Sequence, residues 1–203
     1  TALLASLPKR ELQAGYAEIV KYGLIDDPSF FAWLEQHGTE ILHLEPKATA
    51  QAIATSCQAK ARIVAADETE QDARALLNLG HSFGHALEAV NGYDGTILHG
   101  EAVAIGMIAA LRFSVGLGLA PQAHLDRVAQ HVRAMGMRHL VHDAVPVGID
   151  ADQLMNAMMQ DKKNIAGQLV LILMRGIGQS FIERQADAGL VRQFWGDCLK
   201  HGW

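Results

Sequence analysis

Apolar side chains recur at helical spacing along most of the chain. Leu12, Tyr16, Ile19 and Val20 fall three or four positions apart and predict a helix over 10–22, opened near Pro8 and closed by Gly23. Asp26-Asp27-Pro28 supplies an acidic cap followed by a first-turn proline, so a second helix is expected over 29–37, carrying Phe30, Phe31, Trp33 and Leu34. A third is expected over 46–66, with Ile53, Cys57 and Ile63 on one side, and acidic 67–72 reads as a short loop. Positions 73–90 read as one continuous helix ended by Asn91-Gly92, and a strongly apolar helix follows over 100–116. Two more are expected over 121–135 and 150–162. Near Gly167 the period changes. Leu169-Val-Leu-Ile-Leu173 is a β-type run, Gly176 and Gly178 mark a turn, 180–185 is the returning strand and 186–200 a closing helix. With no internal repeat, low-complexity tract or linker, the pattern predicts one mainly α, multi-helix domain over 1–203 with a single small β-hairpin.

Composition narrows the functional classes. The 203 residues are half hydrophobic and 19% charged, which is ordinary for a globular chain. Seventeen Lys and Arg against 22 Asp and Glu give a net charge of −5 without a long basic run, so no nucleic-acid partner is expected. The longest apolar stretch, around 102–111, is broken by Gly106 and too short to span a bilayer; no membrane role is expected. Cys57 and Cys198 are far apart and form no CxxC, which fits a reducing, cytoplasmic compartment. The first residue is Thr1 and 1–7 reads as the tail of something, so a piece of a longer chain is expected.

The candidate chemistry sits in Arg74, Asn78, His81, His85 and Glu88. Their separations of 4, 3, 4 and 3 put all five on one helix face. Set among Leu76, Leu77, Leu79, Phe83 and Leu87, such a stripe is at least partly buried, and buried polar groups require partners, a metal or a ligand. Gly80 and Gly84 each cost a helix about 1 kcal/mol against Ala, an expense offset where another backbone or a substrate must approach. His99-Gly100-Glu101 opens the next helix, and Glu18 and Lys21 stand one turn apart on the first, where alone they read as a surface ion pair. One carboxylate and two imidazoles match a three-ligand zinc site with an open position. His81 and His85, four apart, are a rival ligand pair, although the HExxH pattern of zinc proteases is absent. Lys162 and Lys163 end a helix with Met155, Met158 and Met159, and Lys60 stands beside Arg62; helix dipole and solvent account for these equally well. Gly116-Leu-Gly118 and Gly176-Ile-Gly178 lack the third glycine of a dinucleotide fingerprint, and neither GxxxxGK nor GxSxG occurs.

Asn78-Leu-Gly-His81-Ser-Phe-Gly-His85-Ala-Leu-Glu88 and Leu98-His99-Gly100-Glu101-Ala-Val-Ala-Ile-Gly106-Met107 resemble the 3-dehydroquinate synthase family. Gly15-Tyr-Ala-Glu18-Ile-Val-Lys21-Tyr-Gly23, the block from Lys60 to Glu68, and Asp161-Lys162-Lys163 are similar too. The resemblance implies the C-terminal, helical domain of a two-domain enzyme whose N-terminal NAD-binding domain is missing from this chain. It puts the metal, zinc or cobalt, on Glu18, His81 and His99. It also implies a small sugar-phosphate acid substrate, 3-deoxy-D-arabino-heptulosonate 7-phosphate. This is converted to 3-dehydroquinate and phosphate, by a lyase using NAD, in the shikimate route to aromatic amino acids. Lys21, Lys60, Arg74, Asn78, His85 and Lys162 (or Lys163) then surround the substrate. Within that set, Arg74 and Lys60 suit its carboxylate, Asn78 and Lys162 its phosphate, Lys21 a ring hydroxyl, and His85 proton transfer. A homodimer is a further expectation. The rivals are another sugar-phosphate cyclase, a metal-dependent polyol dehydrogenase and a non-catalytic metal-binding helical module. The isolated chain is expected to fold and hold zinc but not to turn over, since hydride transfer needs the cofactor.

Overall fold

A helix that is apolar on every side belongs in the middle of a fold, and residues 99–116 take that place. The computed structural model describes residues 2–67, 73–160 and 168–203. After a 3-10 turn at Ala2–Ser6 come α1 (Lys9–Ile25), α2 (Pro28–Leu42), α3 (Pro46–Ala66), a second 3-10 turn at Ala73–Asn78, α4 (His81–Val90) and α5 (His99–Gly116). Then follow α6 (Gln122–Ala134), a 3-10 turn at His142–Ala144, α7 (Ala151–Met159), β1 (Leu171–Met174), β2 (Ser180–Glu183) and α8 (Ala188–His201). α5 is buried along nearly its whole length and packs against α1, α4, α6 and β1. The mainly α architecture with one hairpin agrees with the sequence pattern.

The cap expected before α2 forms, and two further helices are capped by aspartates. Asp27 accepts from the Phe30 N–H at 2.8 Å and starts α2 with Pro28 in its first turn. Asp150 and Gln153 cap α7 reciprocally, and Asp187 caps α8 through the Leu190 N–H. Gly23, by contrast, does not end α1, which continues to Ile25. A Cβ there would lie 2.9 Å from Phe31 Cβ, so this glycine serves the approach of α2 instead. α3 has the predicted limits but a different buried face, made by Ala48, Thr49, Ala52, Ser56, Ala59 and Ile63. Ile53 and Cys57 point to solvent, because small residues set the closest face where helices crowd together.

The predicted helix over 73–90 is interrupted. Ala73–Asn78 is a 3-10 turn, Gly80 takes φ +81°, and α4 begins only at His81. A left-handed residue cannot continue a right-handed helix, so Arg74 and Asn78 leave the face shared by His81, His85 and Glu88. α7 ends at Met159, short of the predicted 162; Lys162 and Lys163 lie outside the described residues.

The antiparallel hairpin pairs Leu171 with Glu183 and Met174 with Ser180. Every residue of β1 is buried, as its unbroken apolar run requires, and the Met174 N–H donates to Ser114 Oγ near the C-terminal end of α5 at 3.2 Å. At that end of α5, Phe83, Phe113, Phe194 and Trp195 interlock, and Trp195 Nε1 donates to Met158 Sδ at 3.0 Å.

Candidate metal centre

Three side chains from distant parts of the chain meet where α1, α4 and α5 converge. Glu18 stands on α1, His81 is the first residue of α4 and His99 the first of α5. Each offers a ligand atom within 4.8 Å of the others'. Glu18 Oε1 lies 4.0 Å from His81 Nε2 and 3.8 Å from His99 Nε2.

Backbone contacts set this convergence. A Cβ on Gly100 would fall 2.1 Å from Ala14 O, so α1 and α5 touch main chain to main chain one turn from Glu18 and one residue from His99. A Cβ on Gly106 would fall 2.0 Å from Gly80 O, which fixes the start of α4, and so His81, against α5. The same end of α5 is held by Glu101. Its carboxylate accepts from the Leu98 N–H at 2.9 Å and from Arg10 of α1 at 2.7 and 2.6 Å.

Both imidazoles are turned alike. His81 Nδ1 lies 3.2 Å from Leu79 O, and His99 Nδ1 lies 3.2 and 3.3 Å from the two carboxylate oxygens of Glu88. An acceptor at Nδ1 holds the proton there and leaves the Nε2 lone pair for a metal. Lys21 is buried and donates to Glu18 Oε2 at 2.6 Å, leaving Oε1 facing the histidines. Burial alone would raise the Glu18 carboxyl, but Lys21, with His81 and His99 adding to it, holds it below the ordinary carboxylate range. The hydrogen bond to Glu88 raises the His99 imidazole above its ordinary value. One carboxylate oxygen and two oriented imidazole nitrogens are a donor set suited to a borderline ion such as zinc or cobalt, and a poor one for magnesium or calcium.

A model of the 3-dehydroquinate synthase C-terminal region matches residues 15–164. The chain belongs to the 3-dehydroquinate synthase family. It is 50% identical to the 3-dehydroquinate synthase of Rhodospirillum rubrum over 195 residues, 94% of this chain and 50% of that protein. It is 51% identical to that of Brucella anthropi over 202 residues, 98% of this chain and 53% of that protein. The chain thus spans about half the length of these curated relatives. Among solved structures it is similar to 2-epi-5-epi-valiolone synthase from Streptomyces hygroscopicus with NAD+ and Zn2+ bound. There the TM-score is 0.83 and the identity 26%, over 98% of this chain and 54% of that one. A 2-deoxy-scyllo-inosose synthase shares the fold at TM-score 0.79 and 24% identity, over 98% of this chain and 54% of the other.

The remaining residues expected from the 3-dehydroquinate synthase resemblance divide into two groups. His85 is one turn beyond His81, with ring centroids 5.5 Å apart and 6.1 Å from that of His99, so His85 and Lys21 border the centre. Arg74 and Asn78 lie on the 3-10 turn before Gly80, which packs against α1 and α3; the Arg74 N–H donates to Asp67 Oδ2 at 3.1 Å. Lys60 is exposed on α3. Sequence reasoning noticed Glu88 as part of a polar stripe but gave it no task, since its partner His99 stands on another helix. It gave none to the Arg10–Glu101 pair, where no spacing signal exists across 91 positions.

Proposed function

We propose that this chain is the metal- and substrate-binding half of a 3-dehydroquinate synthase, one domain over 1–203 that works with a separate NAD-binding domain. The reaction is conversion of 3-deoxy-D-arabino-heptulosonate 7-phosphate to 3-dehydroquinate and phosphate, by a carbon–oxygen lyase of the cytoplasm. The observation that carries this reading is the meeting of Glu18 Oε1 with His81 Nε2 and His99 Nε2 within 4.0 Å. Identities of 50% and 51% to 3-dehydroquinate synthases favour this substrate over those of the other cyclases.

Glu18, His81 and His99 hold the ion, which when bound supplies Lewis-acid polarisation of the substrate's hydroxyl and carbonyl oxygens. Lys21 keeps Glu18 ionised and turned toward the histidines, and its ammonium meets a ring hydroxyl. His85, one turn beyond His81, moves the proton. Arg74 and Lys60 take the carboxylate, Arg74 by its planar fork; Asn78 and Lys162 take the phosphate. Hydride transfer belongs to the NAD-binding partner domain.

Elemental analysis of the purified chain tests the centre: wild type retains a stoichiometric divalent ion, and His81→Ala and His99→Ala lose it. Product identification tests the activity, using the chain mixed with the NAD-binding domain of a relative, NAD and substrate. Release of 3-dehydroquinate supports the proposal. Retention of the ion by both variants, or a different cyclic product, overturns it.

A further inference from the structure

His81 and His99 turn the same nitrogen to Glu18 but are held by unlike groups. His81 leans on a neutral backbone carbonyl, Leu79 O. His99 leans on a carboxylate, both of whose oxygens lie within 3.3 Å of Nδ1. The Glu88 side chain is only 12% exposed, whereas the His99 side chain is 50% exposed. Glu88 pairs with His99, its Oε1 3.2 Å from Nδ1. A carboxylate withdrawn from water is costly unless positive charge is supplied nearby. Glu18 offers a dication one negative charge at most and shares it with Lys21, which its other oxygen meets at 2.6 Å.

We infer that Glu88 is a positioning residue for the metal centre: it fixes His99 as the Nδ1–H tautomer and lends its charge, through the ring, to the Nε2 donor. This rests on reading Glu18, His81 and His99 as the metal site. A dication on the far side of His99 would then offset the Glu88 carboxylate through the ring. The asymmetry makes His99 the stronger of the two imidazole donors, although it is the more exposed. Glu88 has one competing use. With His85 and His99 it also offers ligand atoms within 4.8 Å of one another, so it is placed to bind an ion directly. The two roles differ in what happens to the ligand set when Glu88 changes.

Co2+ titration of the purified chain separates them, with affinity read by chelator competition and the ligand set by visible absorption. Glu88→Gln is expected to weaken Co2+ binding 10- to 100-fold while leaving the band positions unchanged. An independent reading needs no variant: in the Zn2+-loaded wild type, long-range 1H–15N correlations place the His99 proton on Nδ1 and the metal on Nε2. Unchanged affinity in Glu88→Gln overturns the inference and leaves the metal centre standing. Shifted bands, or a second ion lost with Glu88, also overturn it, by making Glu88 a ligand. A wild-type chain that takes up no Co2+ and no Zn2+ removes the centre itself, and this role with it.

Discussion

The two ends of α5 are packed by opposite means. Near His99 and Gly106 helices touch main chain to main chain, with no room for a Cβ on Gly100 or Gly106. Toward the other end, Phe83, Phe113, Phe194 and Trp195 fill the space with rings whose centroids stand 5.4 to 6.4 Å apart. Side chains that separate helices adjust by changing rotamer, so such packing tolerates exchange of volume. Backbones in contact have no such freedom. The aromatic end supplies stability and the glycine end supplies position, and the convergence of Glu18, His81 and His99 depends on position.

The largest expected effect is at the aromatic end. Trp195→Ala empties a fully buried site and is expected to destabilise by about 3–5 kcal/mol in urea denaturation, while the folded fraction keeps its Co2+ affinity within about twofold. Gly106→Ala should cost about 3 kcal/mol, the upper end for overpacking, because the clash is with the Gly80 carbonyl and no side chain can yield. Unlike Trp195→Ala, it is expected to abolish Co2+ binding; a variant that binds like wild type would erase the contrast between the two ends.

Acid weakens the glycine end by another route. His131 on α6 is buried beside Tyr16 of α1, with Tyr16 Oη 2.9 Å from Nε2, and Glu35 is the nearby carboxylate. Burial pushes the imidazole down to about 4 from 6.5, against a smaller upward pull from Glu35. The unfolded chain therefore takes up a proton that the folded chain refuses. This contribution is intact above about pH 6.5 and is lost progressively as the pH falls toward about 4, by up to about 3 kcal/mol. Urea midpoints across that range should fall in the wild type and much less in His131→Gln.

Gly84→Ala is expected to do least. Its Cβ would stand 3.0 Å from Ala102 O, a mild crowding set against a helix-propensity gain of about 1 kcal/mol. Thermal denaturation should show a net change within about 1 kcal/mol, and a larger loss would mean that the whole α4–α5 seam is as rigid as its start.

Much of this was legible in the sequence. The all-round apolar run of α5, the capping residue Asp27, and the β-type run ending at Leu173 each state a local preference that the fold keeps. His81 stood out within a polar stripe, and His99 at the expected start of the next helix. The break at Gly80 was not legible, because a spacing of 4, 3, 4 and 3 counts positions and takes no account of a positive φ. Nor was the exposed face of α3, since Ile53 and Cys57 are more apolar than the small residues that are buried there. Periodicity records which side chains avoid water, whereas the centre is built by glycines that bring main chains together, and they leave no periodic trace.

The order of the donors along the chain has a consequence for how the molecule reaches its native state. His81 and His99 are separated by 18 positions and joined by a compact antiparallel pair, whereas Glu18 precedes His81 by 63. Closing the longer loop carries about 1 kcal/mol more entropy than closing the shorter one. The two imidazoles are therefore expected to meet first, as a bidentate grip, with the carboxylate arriving later as α1 docks. An ion captured at that earlier moment would tether the folding chain, so stopped-flow refolding should run faster with Zn2+ present than with a chelator.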